Sequence, residues 1–326
     1  MSVKGYRYAR YGPIAQVLKL DSVPLDIAGG SITVAVKKAP IHRTDAAVIN
    51  GTAGVKGITK AAFPRVGGSE AFGAVADANG SKFKSGDLVW VAPPHGGWAE
   101  KVVAPVEYVY AVNSKHAALA PHISSLLVAN RLLKAHKLSN GSAVIQNGGS
   151  SITSLAVSAL GKSKGFKVVT AATPGDRFSG ASSRHKAFGS EVVEYNAVGA
   201  RKAKDLVGPK GASLYLNGVG GRPFNNFLKV LGNRGTVVTY GAQNGFGLLW
   251  GGSQQIFNDL TMIGFSLPKY IKTTDHGAVQ AELDEVLETF SSLNFKYPTK
   301  DTKLDGLPQA WDEQFLSGGH KAVLTL

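Results

Sequence analysis

The hydrophobic pattern changes character at one stretch that organises the rest of the chain. Residues 143–173 open with an apolar run, Ala143 to Ile145, which stops at Gln146-Asn147 and gives way to a Gly/Ser turn, Gly148 to Ser151. Apolar residues then recur at Ile152, Leu155, Ala156, Ala159 and Leu160, the spacing of one helix face. A second apolar run, Phe166 to Ala172, closes the pattern. Strand, turn, helix and strand predict a nucleotide-binding βαβ unit, with the turn's N–H groups and the helix N-terminus facing a pyrophosphate. In a glycine frame that starts at Gly148, the second and third glycine positions hold Ser151 and Ser154. The unit therefore reads more strongly as architecture than as a cofactor site.

Upstream, the apolar runs are short and punctuated by turns. Tyr6, Tyr8 and Tyr11, separated by Arg and Gly, read as a strand. The same stretch carries Lys4, Arg7, Arg10 and Lys19 before the first acidic residue, Asp21, which also suits the remnant of a targeting signal. Ile32 to Val36, Ala74 to Asp77 and Leu88 to Ala92 are predicted strands, and Asp45 to Asn50 a short helix; residues 51–60 are Gly-rich and irregular. Downstream, Glu191 to Tyr195, Ser213 to Asn217, Gly235 to Tyr240 and Thr261 to Phe265 read as parallel strands, with a helix at Phe224 to Leu231. Alternating strands and helices predict a doubly wound α/β sheet over 125–266, beside a β-rich domain of 1–124 plus 267–326. Gly277 to Leu293 reads as a helix with Val279, Leu283, Val286, Leu287 and Phe290 inward and Glu282, Asp284, Glu285 and Glu288 outward. Lys321 to Leu324 is a strand predicted to return to the first domain.

Composition narrows the classes. A chain of 326 residues suggests about two domains. No apolar run approaches the roughly 18 residues of a membrane span. There is no cysteine, which excludes disulfides and Cys-ligated zinc. The net charge of +14 favours anionic partners: nucleic acid, phosphate-bearing substrates, anionic lipid or an acidic protein surface. Lys162, Lys164, Lys167, Arg177, Arg184 and Lys186 border the predicted cofactor edge as a solvated face, a phosphate grip or a docking surface. No aromatic-rich RNA-reading motif accompanies them.

Several motifs carry a family resemblance. They are A-P-I-H-R-T-D (39–45), V-G-G-S-E (66–70), K-S-G-D-L-V (84–89), V-I-Q-N (144–147), L-N-G-V-G-G (216–221), G-T-V-V-T-Y-G (235–241), I-F-N-D-L (256–260) and G-F-S-L (264–267). In this order the chain resembles the medium-chain dehydrogenase/reductase superfamily, and within it the mitochondrial trans-2-enoyl-thioester reductases. The resemblance implies a Rossmann-type domain with a GroES-like β-rich domain, mitochondrial location, a possible homodimer, and NADPH-dependent reduction of an acyl-thioester double bond. It places cofactor contacts at Gly149, Ser150, Ser151, Ile152, Arg177, Tyr240, Gly241, Phe265 and Lys321.

The resemblance also marks departures. The family's Tyr position is Ala53, so no catalytic residue is carried over, and an alanine offers no proton. The family's S-G-V-G turn aligns with Ser151-Ile152-Thr153-Ser154, which puts bulk where a pyrophosphate approaches the backbone. Its N-P-x-T aligns with Ser124-Ser125-Leu126-Leu127; the Arg for the 2′-phosphate aligns near Thr173, with Arg177 and Lys167 in reach; its Trp aligns with Ser266. Gly67, Gly68, Gly220, Gly221 and Gly241 remain. His42, Glu70 and His95 occupy regions where zinc-dependent relatives hold metal, but without Cys or a third ligand no metal is expected. These departures predict weak or absent NADPH binding in a catalytically degenerate member, a pseudoenzyme kept as a structural subunit of a large mitochondrial protein or ribonucleoprotein assembly. The alternatives are an active NADPH-dependent trans-2-enoyl-CoA/ACP reductase and an RNA-binding quinone-oxidoreductase-like protein.

Overall fold

A computed structural model of the chain describes residues 2–52, 63–243, 252–316 and 319–326. The chain divides into two compact units, Met1–Ser124 with Leu267–Leu326, and Ser125–Ser266.

The second unit is built on six parallel strands. In spatial order they are Glu191–Glu194, Lys167–Ala172, Ala143–Gln146, Ala212–Asn217, Leu231–Thr239 and Thr261–Gly264. Helices flank this sheet, so its central strands are buried on both faces and read as continuous apolar runs. Val144, Ile145, Val169, Leu214, Leu216, Val237 and Val238 are all buried. From Ala143–Gln146 the order runs one way to Lys167–Ala172 and Glu191–Glu194, and the other way from Ala212–Asn217 to Thr261–Gly264. The strand order thus reverses between Ala143–Gln146 and Ala212–Asn217. Leu231–Thr239 begins before the predicted Gly235 because Leu231 already pairs with Ala212 across a bulge. The preceding helix accordingly stops at Leu228, short of the predicted Leu231.

The first unit holds two sheets. Lys19–Pro24, Ser2–Tyr8 and Arg65–Val66 form a three-stranded one. The other runs Thr299–Thr302, Lys321–Thr325, Ser31–Pro40, Ala71–Asp77, Leu88–Val91 and Val109–Ala111, with Lys101–Pro105 also paired to Ser31–Pro40. The C-terminal strand lies antiparallel to Ser31–Pro40, with Val323 opposite Pro40 and Leu324 opposite Ala39. Its edge strand Val109–Ala111 is closed by a side chain. Gln280, on helix His276–Ser292, accepts from the Ala111 N–H (2.8 Å) and donates to the Ala111 carbonyl (3.0 Å), imitating a neighbouring strand. On that helix one expectation is corrected. Glu282 is buried rather than outward, and its carboxylate accepts from the Tyr270 hydroxyl. Asp284, Glu285 and Glu288 are exposed, and Glu288 pairs with Lys115 (2.6 Å).

Burial sets a pH dependence. Desolvation pushes the imidazoles of His95, His122 and His185 down to about 4. Each ring folds neutral, whereas the unfolded chain takes up a proton near the ordinary value of 6.5. Their contribution to stability is complete above that value and is lost as the pH falls toward 4. Urea-unfolding midpoints should therefore drop between pH 6.5 and pH 4, and His185→Leu should remove part of the slope. Midpoints that stay level across that window would show that the rings carry no such linkage.

Candidate functional site

The candidate site grows out of the place where the strand order reverses, since ligands of open α/β sheets bind beyond the strand ends at such a point. Past Gln146 the chain turns at Gly148, whose φ of +73° lies where L side chains are rare. Gly149 then passes so close to the next strand that a Cβ would sit 2.9 Å from both Thr170 Cγ2 and Ala172 Cβ. Ser151 caps helix Ile152–Ser163 by accepting from the Ser154 N–H at 3.1 Å. The Ser154 hydroxyl in turn reaches the carbonyls of Gly148 (2.9 Å) and Ser151 (3.0 Å). The serine that departs from the glycine pattern is therefore satisfied inside the turn, and Ile152 is only 5% exposed. What the turn leaves over is donors. The N–H groups of Ile152 and Thr153 have no acceptor among the described residues, and the helix has no acidic residue in its first turn. This end of the helix suits a phosphate by chemistry and by dipole.

A buried carboxamide holds the surrounding strand ends together. Asn147, fully buried, accepts from the N–H groups of Gly218 (2.7 Å) and Val219 (3.1 Å) through its Oδ1. Its Nδ2 lies 3.0 Å from the hydroxyls of Tyr195 and Tyr215 and 2.8 Å from Asn217 Oδ1. Tyr195 donates onward to the Gly220 carbonyl (2.9 Å), and the Gly220 N–H donates to Asn217 Oδ1 (2.9 Å). Burial raises the hydroxyls of both tyrosines above their ordinary value, so they stay protonated donors.

Beneath the turn lies a second buried polar group. His185 Nε2 faces the Gly149 carbonyl at 2.8 Å, and its Nδ1 faces the Ser158 hydroxyl at 2.8 Å. A carbonyl can only accept, so Nε2 carries the ring proton and Nδ1 accepts from Ser158. Gln146 Nε2 reaches Thr170 Oγ1 (2.9 Å) and the Ser154 carbonyl (2.8 Å) from the same layer. Sequence reading missed His185, which stands in a basic, serine-rich helix with nothing to single it out.

Of the predicted cofactor residues, Gly149, Ser150, Ser151 and Ile152 form the turn itself. Tyr240 joins them by a hydrogen bond to the Ser151 side chain, and burial raises its hydroxyl well above the ordinary value. Gly241 packs on Gly218, where a Cβ would meet the Gly218 carbonyl at 2.6 Å. The Phe265 N–H donates to Thr239 (3.0 Å) at the end of the same sheet. Arg177 lies on helix Asp176–Lys186, and its side chain is outside the described residues. Ala53 also lies outside them.

Lys321 belongs to the other unit, where it meets residues that sequence reading took separately. It donates to the Ile41 carbonyl and to His42 Nδ1 (3.0 Å). His42 Nε2 bonds Glu70 Oε1 at 2.6 Å, and Glu70 Oε2 accepts from Trp90 and Ser124 at 2.5 Å each. Asp45 accepts from the His42 N–H (2.6 Å) and from the Ser69 hydroxyl. Among the described residues no group of three or more His, Asp or Glu could hold a metal ion.

Residues 28–114 match the alcohol dehydrogenase GroES-like domain family. The mitochondrial enoyl-[acyl-carrier-protein] reductase of Dictyostelium discoideum is 28% identical over 342 residues, covering 99% of this chain and 95% of that protein. In these matches the chain resembles the medium-chain dehydrogenase/reductases. In fold it is similar to the mitochondrial 2-enoyl thioester reductase heterodimer of Candida tropicalis, at TM-score 0.83 and 20% identity with 100% of each chain covered. A mycobacterial structure complexed with NADPH aligns at TM-score 0.85 and 20% identity, again over 100% of both chains. The resemblance drawn from the motifs is thus confirmed at the level of superfamily and fold.

Asn147 gives the sharpest test of the site's frame. Asn147→Ala would leave the N–H groups of Gly218 and Val219 without their acceptor and take a hydrogen bond from the hydroxyls of Tyr195 and Tyr215. We expect a loss of about 2–4 kcal/mol in urea unfolding, since each orphaned buried group costs about 1–3 kcal/mol before relaxation. A loss below about 1 kcal/mol would show that other groups fasten the strand ends.

Proposed function

We propose that the chain is an active reductase that uses NADPH to reduce the double bond of a trans-2-enoyl thioester, carried on CoA or an acyl-carrier protein, in mitochondria. The observation that carries this reading is the match to mitochondrial enoyl-[acyl-carrier-protein] reductases across nearly the whole chain. The turn supports it: it keeps its shape and presents unpaired N–H groups at a helix N-terminus. In this reading the backbone of Gly149, Ser150, Ser151 and Ile152 receives the pyrophosphate. Tyr240, Gly241 and Phe265 line the way to the nicotinamide, and Arg177 meets the 2′-phosphate. NADPH, when bound, supplies a hydride. The reading of a degenerate binding subunit rests on the sequence changes at Ala53, at Ser124 to Leu127, at Ile152 and Ser154, near Thr173 and at Ser266. A ribonucleoprotein or acidic partner rests on the +14 charge alone. The relatives favour the reductase over both.

The partner we favour is a second copy of the chain; the similar Candida tropicalis structure is a heterodimer of two reductase chains. The edge strand Thr261–Gly264 leaves Ile263 41% exposed, and helix Gly252–Asn258 just before it exposes Ile256 (75%) and Phe257 (82%). An apolar strip beside an open strand edge suits burial against an equivalent edge. No helix among the described residues is long and apolar enough to cross a membrane.

Two measurements test the proposal. Calorimetry should show NADPH binding that Gly149→Val weakens by on the order of tenfold or more, because the new side chain displaces the turn from Thr170 and Ala172 and forfeits a charge-assisted bond. NADPH oxidation should follow addition of a trans-2-enoyl-CoA. No heat of binding and no oxidation across short and long acyl chains would return the binding-subunit reading. For the dimer, Phe257→Glu should shift sedimentation from dimer to monomer. An unchanged sedimentation coefficient would place the interface elsewhere.

A further inference from the structure

The parallel sheet has two edges, and the candidate site occupies the one where its strands end. At the other edge the strands begin and the flanking helices finish. Hydrogen bonds join the loops there into one rim. The Gly141 N–H donates to the Gly165 carbonyl (2.8 Å), the Lys167 N–H to the Ser142 carbonyl (2.9 Å) and the Ala212 N–H to the Val230 carbonyl (2.9 Å). By sequence alone Lys162, Lys164, Lys167 and Lys186 border the cofactor edge. The fold carries them to this opposite rim instead, because they stand at helix ends and strand starts.

The rim is lined with lysine. Lys162 and Lys164 close helix Ile152–Ser163, Lys186 closes helix Asp176–Lys186, and Lys167 opens strand Lys167–Ala172. Lys162 Nζ donates to the Ala187 carbonyl at 3.2 Å, which fastens the two helix ends together. The reversal of strand order puts the next helices on the other face of the sheet. There Lys204 lies in the last turn of helix Ala197–Val207, Lys210 follows its cap, and Lys229 caps helix Phe224–Leu228. Lys137 sits on the loop that leads into Ala143. Each of these lysines is exposed. Against them stand Glu191 and Asp205, while Asp259 is taken by Arg234 at 3.5 Å. A helix end favours a cation in its last turn, which accounts for Lys162 and Lys204. It does not account for Lys137, Lys167 and Lys210, which lie beyond the helices.

We propose that this rim docks the chain on the surface of an anionic phospholipid bilayer, through its head-group phosphates. The proposal stands apart from the reductase reading. The lysines cover an area rather than a line. At about 4.8 Å per strand, the positions from Lys186 to Lys229 extend about 20 Å along the rim, and they lie on both helix layers. Such an area fits a plane of phosphates, where every lysine near the surface adds to the attraction. Nucleic acid fits it less well. Its readers use the planar fork of Arg and aromatic platforms for the bases, whereas these loops carry lysine and expose no aromatic. Phe257, which shares a cleft with Lys204 and Lys229, is one ring at the end of the rim and belongs to the strip offered to a second copy. The described rim loops also expose no large apolar side chain for insertion, so the contact stays at the head groups.

Co-sedimentation of the full chain with vesicles tests this. The protein should pellet with vesicles of phosphatidylcholine and phosphatidylserine in equal parts, stay in solution with phosphatidylcholine alone, and come off as salt rises. A variant combining Lys164→Ala, Lys167→Ala and Lys186→Ala should bind the mixed vesicles about 100-fold more weakly, at about fivefold per lysine. A second variant, combining Lys137→Ala, Lys204→Ala and Lys210→Ala, should lose as much and keeps the test open if the first fails to fold. A control combining Lys37→Ala, Lys84→Ala and Lys303→Ala removes the same charge from exposed sites of the other unit and should lose far less. Equal losses in the control and the rim variants would show that net charge acts, not the rim. Failure to pellet with the mixed vesicles at low salt overturns the proposal. A duplex RNA that displaces the vesicles, and whose own binding falls in the rim variants, would make nucleic acid the partner and overturn the bilayer.

Discussion

The site depends on one constraint: a parallel sheet must end where its strand order reverses, and the strand ends there carry backbone donors that have no ladder partner. Asn147 answers this by supplying a single acceptor to Gly218 and Val219 and an amide to two tyrosines. In the dry interior such a group is favourable only when every member is satisfied, which makes its geometry unforgiving. The turn from Gly148 to Ser151 inherits its position from that fastening on one side and from His185 on the other. The helix Ile152–Ser163 begins at the end of that turn, capped by Ser151.

The two units solve opposite electrostatic problems. In the parallel-sheet unit the buried network is neutral: amide, hydroxyl and a deprotonated imidazole, with burial keeping the His185 ring uncharged. The other unit buries true charge. Glu70 takes three hydrogen bonds, from His42, Trp90 and Ser124, which hold its carboxyl below the ordinary value in spite of burial. Asp45, with fewer partners, is pushed up by the same burial. Burial alone would expel both carboxylates. The count and quality of donors decide which way each carboxyl shifts.

The serines of the turn show how a pattern can be broken without breaking the structure. A glycine frame is read from sequence as a demand for bare backbone. Here Ser154 keeps its Cβ inside the unit and turns its hydroxyl onto Gly148 and Ser151, so the added atoms take over bonds that cap and brace the turn. Ser151 likewise serves at once as helix cap and as the partner of Tyr240. Local hydrogen bonding of this kind is the ordinary use of serine at a helix start.

The sequence by itself determined the periodic parts of this protein. Ala143 to Ala172 announced strand, turn and helix, because burial on two faces demands unbroken apolar runs and a helix shows its face every three to four residues. The returning strand at Lys321 and the doubly wound sheet were legible for the same reason. Tertiary structure decided the rest. Glu282 sits on the polar face by spacing, yet Tyr270 offers it a partner and it is buried. Leu231 joined its strand early because Ala212 was there to receive it. His185 and Gly149, 36 residues apart, and Lys321 and His42, 279 apart, meet only in the folded chain. Hydrophobic periodicity is a local property that a window of sequence contains. A buried hydrogen bond between distant residues is a property of the closed fold, and no local pattern encodes it.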